Sequence, residues 1–265
     1  MFGDISPTYD FLNHLLSLCM DFIWRFFFTF SSLRSLISRN KAEIVNCNEL
    51  AASFLSFKSK SLDYNQPRYI IDYASGTGDI VLSSIYNLRH FFKSQAGTDN
   101  FVFFCTDFSY EMLSIAKKKI FRKYPAMKKK VHYVVCDACS SCFKAGSFDA
   151  ATVAFGVRNF PSRTDFARSS FNSLKSGGLL AILEFSNFPA FGIMAFLKKY
   201  YSMVVAPLGS IISGHSSAYR YLVESIFLFV PEKALCSEFE AEGFSLESFR
   251  KLFPPVVTSY FFRKR

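Results

Sequence analysis

The stretch that decides the fold is Arg68-Tyr-Ile-Ile-Asp-Tyr-Ala-Ser-Gly-Thr-Gly-Asp79, in which a short β-rich run ends in a glycine loop. From Asp79 to Leu88, apolar residues then recur at helical spacing. The order of strand, glycine loop and helix is typical of the first βα unit of an open parallel sheet. In such a sheet a ligand lies beyond the carboxyl ends of the strands, so this loop predicts the position of the functional site.

The same alternation continues along the chain. Strand patterns cover 101–106, 131–136, 148–155 and 179–185, helical patterns cover 109–120 and 164–174, and 244–249 with 256–262 form a closing pair of strands. Strands joined by helices of ten or more residues predict a mainly parallel sheet that is covered on both faces. We therefore predict a doubly wound α/β fold.

The domain organisation is predicted from changes in sequence texture. Apolar residues at helical spacing before the turn-like stretch Asp63–Pro67 predict an N-terminal helical cap segment over 1–66. The main domain then covers 67–265, with inserted cap helices at about 188–230.

Composition excludes several classes of protein. The chain has 265 residues, of which 50% are apolar and 20% charged, and this is enough apolar material for a core. Disordered, collagenous and small disulfide-stapled chains are thereby excluded. Aromatic residues make up 18% of the chain, so some Phe is expected at the surface. A net charge of +10 favours an anionic partner, such as a phospholipid surface, a nucleic acid or a phosphorylated ligand.

Cysteine usage and hydropathy predict the compartment. Seven cysteines with no secretory signal before them predict reduced thiols in the cytosol. The most lipid-like stretch, 200–214, is interrupted by Pro207 and is shorter than the roughly 20 residues of a spanning helix. We therefore expect a cytoplasmic protein, with peripheral contact at the inner face of the cytoplasmic membrane left open. The spacing Cys136-x-x-Cys139-x-x-Cys142 suggests a metal, but no fourth ligand is evident, and no metal is predicted.

The glycine loop and three strand-end carboxylates indicate the ligand. A dinucleotide fingerprint needs a third glycine where this chain has Val81. Asp72 ends the first strand and suits a zwitterion, Asp107 follows the second strand and can accept from a ribose diol, and Asp137 follows the third and can accept from an adenine amino group. Together they fit a cationic nucleoside, S-adenosylmethionine, better than a polyphosphate. The alternative interpretation is that they are ordinary strand-end and capping aspartates.

Five collinear motifs give the chain a family resemblance. They are Tyr9-Asp-Phe-Leu-Asn13 with Trp24-Arg25, the 72–79 loop, Phe155-Gly-Val-Arg-Asn159, Leu174-Lys-Ser-Gly-Gly178 running to Leu183-Glu-Phe-Ser186, and Tyr219-Arg-Tyr-Leu-Val-Glu-Ser225. With these motifs the sequence resembles the ubiquinone/menaquinone biosynthesis C-methyltransferases, of the demethylmenaquinone methyltransferase type. The resemblance covers nearly the whole chain.

The resemblance implies a fold, a donor and an acceptor. The fold is that of class I S-adenosylmethionine-dependent methyltransferases, Rossmann-like, with a mostly parallel seven-stranded sheet, an antiparallel C-terminal strand and a helical cap. The cofactor is S-adenosylmethionine and the acceptor a prenylated quinol, in menaquinone synthesis (demethylmenaquinol to menaquinol), ubiquinone synthesis, or both. By matching position, Thr77, Asp107, Asp137 and Ala138 look like cofactor contacts, and Gly76 and Gly78 shape the loop.

The chain departs from the family pattern at a few positions. Ser75 stands where glycine is common, Ala154 replaces a serine, and Pro254-Pro255 stand where glycine is usual. The chain also begins almost at the Tyr9 motif. These departures bear on the fit of the acceptor more than on the cofactor.

The chemistry of ring methylation predicts the catalytic residues. Loss of a hydroxyl proton makes the quinol carbon nucleophilic, so a cation that stabilises the quinolate is needed. Arg158 follows the fourth strand and is assigned this role, with Asn159 orienting the same network. The alternative is a structural ion pair of Arg158 with Asp165 or Glu184. Three residues, Tyr219, Arg220 and Tyr221, are predicted to form the opposite, substrate-binding wall, and His14 and His215 flank the motifs.

Two other functions are alternatives to these predictions. A methyltransferase that acts on nucleic acid or another small molecule is one alternative, but exocyclic-amine methylation commonly uses Asn/Asp-Pro-Pro-aromatic where this chain has Ala154-Phe-Gly-Val157. No nucleic-acid partner is therefore predicted. A non-catalytic lipid-binding protein of the quinone pathway is the second alternative. The run 117–130, which holds eight basic and no acidic residues, leaves peripheral contact with an anionic membrane open, as it does a solvated helix face. A homodimer also stays open.

Overall fold

A computed structural model describes residues 17, 20–38, 66–92, 100–140, 142–186, 203, 225, 228–252 and 256–265. Most of the predicted cap, including 188–202, Tyr219, Arg220 and Tyr221, lies outside the described residues, as do His14, His215 and Pro254-Pro255. The predicted domain division at residues 66 and 67 therefore stays a prediction.

Among the described residues, helices and strands alternate over 68–135 and again over 148–252. The helices are α1 (Met20–Ser38), α2 (Asp79–Phe91), α3 (Tyr110–Lys123), α4 (Arg163–Ser173) and α5 (Glu232–Ala241). The strands are β1 (Arg68–Tyr73), β2 (Phe101–Asp107), β3 (Val131–Val135), β4 (Phe148–Ala154), β5 (Leu174–Phe185), β6 (Phe244–Leu252) and β7 (Val257–Lys264). Short 3-10 turns follow α3, at Pro125–Lys129, and β4, at Val157–Asn159.

The seven strands form one sheet in the order β3-β2-β1-β4-β5-β7-β6. Strands β1 to β5 pair in parallel, and β7 pairs antiparallel with both β5 and β6. The order reverses on either side of β1, so the turns after β1 and β4 lie side by side at the carboxyl end of the sheet. This is the topological switch point, where open α/β sheets bind their ligands. The predicted doubly wound, mostly parallel sheet with a closing antiparallel pair is confirmed.

Each face of the sheet carries its own core because successive strand residues point to opposite sides. In β1, Ile70 packs with α1, α2 and α3 on one face, whereas Ile71 and Tyr73 pack with α4 and α5 on the other. Both cores are rich in phenylalanine, and Phe28, Phe103, Phe166 and Phe239 are all almost fully buried. The two covered faces explain why the strands are apolar runs rather than alternating patterns.

Two elements differ from the sequence-based expectation. Strand β5 begins at Leu174 instead of residue 179, because Leu174 already pairs with Phe148, ahead of a register irregularity in which Gly177 has a φ of +70°. Helix α5 was not predicted at all. Among the described residues, no helix combines the length and apolar character needed to cross a membrane.

Candidate cofactor site and active site

A cavity of about 370 Å³ lies at the carboxyl ends of β1 to β4. Its wall is formed by turns that leave these four strands and by the first turn of α3. The lining residues are Ala74, Gly76, Asp107, Phe108, Met112, Cys136, Asp137, Ala138, Ala154, Phe155, Gly156, Asn159, Phe160 and Pro161. A largely apolar cavity of this size with a few carboxylate and amide groups is typical of a small-molecule site.

The glycine loop after β1 forms one edge of the cavity. Gly76 and Gly78 have φ values of +53° and +82°, which favour glycine. A Cβ on Gly78 would lie 3.0 Å from Cβ of Ala116, so the loop can approach α3 closely only without a side chain. Gly78 thus lies where the loop approaches α3, and it does not line the cavity itself.

Asp107 joins the glycine loop to the start of α3. Its Oδ2 accepts a hydrogen bond from the backbone N–H of Gly76 at 2.8 Å, and its Oδ1 accepts from that of Ser109 at 2.9 Å. Burial raises the pKa of this carboxyl above its ordinary value, and the backbone hydrogen bonds oppose that shift. The carboxylate is thus fixed at the cavity wall, where its remaining lone pairs can accept from a diol.

Asp137 and Ala138 lie in a loop after β3 that a disulfide closes. Cys136 and Cys142 are bonded to each other, so the expectation of reduced thiols throughout is wrong for this pair, whereas Cys105, Cys139 and Cys236 are free. The two bonded cysteines lie close because the loop turns back on itself, with Asp137 Oδ1 accepting from the N–H of Cys139 at 2.9 Å. The disulfide therefore holds the loop that presents Asp137 to the cavity.

Asp72 is buried beneath the cavity rather than lining it. Its Oδ1 accepts from the Thr152 hydroxyl of neighbouring β4 at 2.7 Å, and its Oδ2 has no hydrogen-bond partner among the described residues. Burial raises the pKa of this carboxyl to about 7. The predicted contact of Asp72 with the zwitterionic end of the ligand stays a prediction.

Ser75, the departure from the glycine common in the family, has a structural role. Its hydroxyl donates to the carbonyl of Asp72 at 2.7 Å and accepts from the N–H of Thr106 at 3.0 Å. It thereby ties the end of β1 to the end of β2 beneath the glycine loop. Thr77 is also buried, and its hydroxyl accepts from Lys119 Nζ at 3.3 Å instead of lining the cavity.

The opposite wall is formed by the turn after β4, where Ala74 of the β1 turn lies close to Gly156. A Cβ on Gly156 would lie 2.8 Å from Cβ of Ala74. Ala74 and Phe155 have φ values of +48° and +56°, a left-handed conformation uncommon for residues with a side chain. The two turns therefore contact each other in strained conformations at the cavity, which is where such strain often serves a function.

Arg158 and Asn159 follow this turn but face different surroundings. Asn159 lines the cavity, with its Nδ2 donating to the carbonyl of Phe155 at 3.4 Å and its Oδ1 buried without a hydrogen-bond partner among the described residues. The Arg158 guanidinium does not line it, because Nη1 donates to Glu184 Oε1 at 2.7 Å and to the carbonyl of Phe155 at 2.6 Å. The side chains of Arg158 and Glu184 are only 5% and 0% exposed. One of the two ion pairs weighed against a direct catalytic role, the one with Glu184, is therefore present.

The cavity brings together part of the predicted site. Gly76, Asp107, Asp137, Ala138 and Asn159 line it, whereas Asp72, Thr77, Gly78 and Arg158 lie behind its wall. Sequence analysis missed several lining residues, above all Phe108, Met112 and Phe160. For Phe108 the sequence does contain a signal, because this residue directly follows Asp107 at a predicted strand end. In the structure Phe108 is 82% exposed and lines the cavity.

These residues fit S-adenosylmethionine. Two carboxylates at successive strand ends can accept hydrogen bonds from a ribose and an amino group, and Phe108, Met112 and Ala138 offer an apolar bed for a ring. The absence of a cationic lining side chain among the described residues agrees with a cationic rather than a polyphosphate ligand. Fold and site together define a class I methyltransferase domain.

Comparison with known proteins agrees with this class and narrows it. The model of the ubiE/COQ5 methyltransferase family matches residues 1–264. The chain is 34% identical to the demethylmenaquinone methyltransferase of Thermus thermophilus, over 93% of this chain and 92% of that protein. It is 29% identical to the ubiquinone/menaquinone biosynthesis C-methyltransferase of Geotalea daltonii, over 98% and 93% of the two chains. The chain therefore belongs to the ubiE/COQ5 methyltransferase family.

Solved structures share the fold at low sequence identity. An S-adenosylmethionine-dependent methyltransferase from Aquifex aeolicus matches with a TM-score of 0.52 and 11% identity, over 89% of this chain and 98% of that one. A methyltransferase structure from Bacillus halodurans gives 0.53 and 14%, over 80% and 97%. The predictions of the family, of an S-adenosylmethionine-dependent methyltransferase and of C-methylation in quinone biosynthesis are confirmed.

Proposed function

We propose that this protein methylates a ring carbon of a prenylated quinol, either demethylmenaquinol or the methoxy-benzoquinol precursor of ubiquinone. S-adenosylmethionine supplies the methyl group. The observation that carries the proposal is the cavity, which has carboxylates at one end and an aromatic wall with an amide at the other. The names of the relatives, demethylmenaquinone methyltransferase and ubiquinone/menaquinone biosynthesis C-methyltransferase, support the acceptor class.

The carboxylate end of the cavity would hold the donor. Asp107 is fixed by the N–H groups of Gly76 and Ser109, so it is already oriented for a ribose diol without reorganisation. Asp137, in the disulfide-closed loop, would accept from the adenine amino group, and the backbone at Ala138 would bond the ring. We propose these residues, with the Gly76–Gly78 loop and Asp72 beneath it, as the cofactor-binding set.

The β4 end of the cavity would hold the acceptor ring. Phe155 and Phe160 give this end an apolar wall that excludes water, and Asn159 contributes the amide that can orient a quinol hydroxyl. Arg158 does not line the cavity, so it would act on the acceptor only through the residues it contacts. By holding the Phe155 carbonyl and Glu184, it would fix the turn that carries Asn159. Tyr219, Arg220 and Tyr221 are proposed to complete the acceptor wall.

The decisive experiment supplies the purified protein with S-adenosylmethionine and each of the two quinols in turn, and follows the product by mass spectrometry. We expect one added methyl on the ring carbon of at least one quinol. Asp107→Asn should weaken S-adenosylmethionine binding in calorimetry at least about tenfold, because it replaces one of two fixed acceptor oxygens by an NH2 donor, while Asp165→Asn at an exposed position of α4 should not. Donor binding without methylation of either quinol would remove the proposed acceptor, and absence of donor binding would remove the whole assignment.

We also propose a cytoplasmic location with peripheral contact at an anionic membrane surface, because a prenylated acceptor resides in the bilayer. The homodimer left open by the sequence is tested by light scattering of the purified protein. Fractionation of cells at low and high salt tests the location, since an electrostatic contact weakens as salt rises.

A further inference from the structure

A second cavity lies on the outer side of the helices and shares no lining residue with the first. It has a volume of about 570 Å³ and runs between α1, α2 and α3. Its lining residues are Phe22, Arg25, Phe26, Asp79, Leu82, Ser83, Tyr86, Lys119, Arg122 and Lys123. We call it the outer groove. Its residues combine cations with aromatic rings, a combination that the methyl-transfer chemistry does not use.

The outer groove carries an excess of positive charge. Its described lining residues include four basic side chains and one carboxylate, Asp79, which contacts both Arg25 and Lys119. Arg122 and Lys123 are exposed and have no ion-pair partner among the described residues. Their place in the last turn of α3 is favourable for the helix dipole, which explains their helix position but not the aromatic groove beside them.

Apolar side chains are exposed beside these cations. Phe22 and Ile23 in the first turn of α1 are 54% and 45% exposed, and Tyr86 and Phe91 of α2 are more than a third exposed. Phe26 joins the two helices, with its ring centroid 6.4 Å from that of Tyr86 and 5.5 Å from that of Phe91. A surface with apolar rings beside unpaired cations is typical of proteins that bind at a membrane interface. There the rings insert at the boundary of headgroups and acyl chains, and the cations bind the anionic headgroups.

We propose that the outer groove binds the phosphate headgroup of an anionic phospholipid and so docks the α1–α3 face on a membrane. The proposal rests on the proposed function, which brings the protein to an anionic membrane surface for its prenylated acceptor, and it identifies the surface that makes this contact. Guanidinium and ammonium groups suit a phosphate. A nucleic acid fits less well because Tyr86 is already stacked on His90, with ring centroids 4.1 Å apart, and so has one face covered against base stacking.

The test compares two charge reversals of equal size. Arg122→Glu with Lys123→Glu alters the groove, whereas Lys128→Glu with Lys129→Glu makes the same change at exposed positions of the next turn, outside it. Co-sedimentation uses vesicles of phosphatidylcholine alone or with about a third phosphatidylglycerol. We expect the wild type to bind only the anionic vesicles, the groove variant to bind at least about tenfold more weakly, and the control variant to lose about threefold or less.

Other outcomes overturn the proposal. Equal losses of vesicle binding in the two variants would mean that the positive charge of this face attracts vesicles without a specific site, and that the groove binds no headgroup. Binding of a single-stranded RNA in place of vesicles, with the same dependence on Arg122 and Lys123, would assign the groove to nucleic acid. Methylation of a short-chain, water-dispersed quinol keeps the two proposals distinct, because the groove variant should retain it fully. A wild type that lacks this activity but docks on vesicles would contradict the proposed function alone.

Discussion

At the scale of single residues, variants of the Arg158–Glu184 pair test whether Arg158 acts on the quinol directly or only positions the turn that carries Asn159. Arg158→Ala should abolish turnover and leave S-adenosylmethionine affinity nearly unchanged, because the guanidinium fixes the turn of Asn159 but does not line the cofactor cavity. It should also cost about 3–5 kcal/mol of stability by leaving the Glu184 charge buried alone. Steady-state kinetics, calorimetry and denaturant unfolding measure the three effects.

A second variant separates lost activity from lost stability. Arg158→Met with Glu184→Gln removes both charges, so most of the stability should return while turnover stays absent. A single variant with full activity, or a double variant that recovers it, would show that the guanidinium has no part in the reaction.

Asp72 gives the protein a pH-dependent stability. Its carboxyl has a pKa of about 7 in the folded chain and about 3.8 in the unfolded chain, because burial disfavours the charge. The folded state therefore binds more protons between these values, and stability should fall as pH rises from about 4 to about 7, by roughly 4 kcal/mol in total. Asp72→Asn should flatten this dependence and exceed the wild type in stability at pH 8.

Urea unfolding at pH 4, 6 and 8 checks this prediction, with exposed Asp165→Asn as the control that keeps the wild-type slope. A wild type that gains stability between pH 4 and pH 7, with an Asp72→Asn variant that follows it, would contradict the assigned burial of the carboxyl.

Residue-scale features were predictable from sequence only where strand ends decide them. Asp107 and Asp137 could be placed because each follows a recognisable strand, and strand ends meet at one edge of a sheet. The position of Asp72 beneath the cavity could not be predicted, because it depends on the register that places Asp72 beside Thr152 of β4. The left-handed conformations of Ala74 and Phe155 are imposed by contacts between two turns far apart in sequence, and nothing in their residue types signals them.

At the scale of elements, the contact between the turns after β1 and β4 fixes the width of the cavity. Gly156→Ala would place a Cβ 2.8 Å from that of Ala74 and 3.1 Å from Cγ2 of Val153, so the turns must separate. We expect a loss of about 1–3 kcal/mol in stability and weaker S-adenosylmethionine binding. Gly146→Ala is the control, because its φ of +66° costs about 1 kcal/mol but its surroundings are open. Gly146→Ala should keep the affinity, and equal affinities in both variants would contradict the contact.

The disulfide between Cys136 and Cys142 should stabilise the loop that carries Asp137. Replacing both cysteines by serine should lower the free energy of unfolding by about 2 kcal/mol, since the closed loop is short, and should weaken S-adenosylmethionine binding severalfold. A dithiol reductant should reproduce both effects in the wild type. Cys139→Ser, which leaves the bond intact, is the control, and a reduced wild type of unchanged affinity would show that the loop holds its shape without the bond.

Sequence patterns predicted the element order of the sheet well but missed α5 and the start of β5. Helix α5 has local sequence signals, with Pro231 before it and Gly243, at φ +99°, after it. For β5, the strand pattern begins at residue 179 after Gly177-Gly178, yet Leu174 already pairs with Phe148 across an irregular register. Pairing with a distant strand decided that boundary, and a local pattern does not contain it.

At the scale of the whole molecule, charge is divided between the two sides of the sheet. The basic run of α3 and the turn after it lies on one side, and on the other side α4 and α5 carry the acidic groups of Asp165, Glu238 and Glu242, which pair with Arg163 and Arg168. Among the described residues, basic side chains therefore predominate on the α1–α3 side. A molecule polarised in this way turns that side towards an anionic surface before contact.

Helix α1 connects this outer side to the cofactor cavity, since it contacts one residue next to the glycine loop and one residue of the cavity wall. Arg25 pairs with Asp79, which follows the glycine loop, and the Trp24 ring lies 6.4 Å from that of Phe155 in the β4 turn. Removal of the Trp24 side chain should therefore change the position of the Phe155 turn at the cavity as well as the packing of the core. Phe28, on the same helix, is buried equally well but packs against Phe261 of β7, away from the cavity.

These two buried rings allow a matched comparison. Trp24→Ala and Phe28→Ala should each cost about 3–5 kcal/mol in unfolding free energy, because each leaves a large hole in the same core. Only Trp24→Ala should also weaken S-adenosylmethionine binding, since only this change frees the Phe155 turn. Denaturant unfolding and calorimetry at a temperature where both variants stay folded measure the two quantities. If both variants lost the same affinity, binding would follow global stability alone, and α1 would have no specific connection to the site.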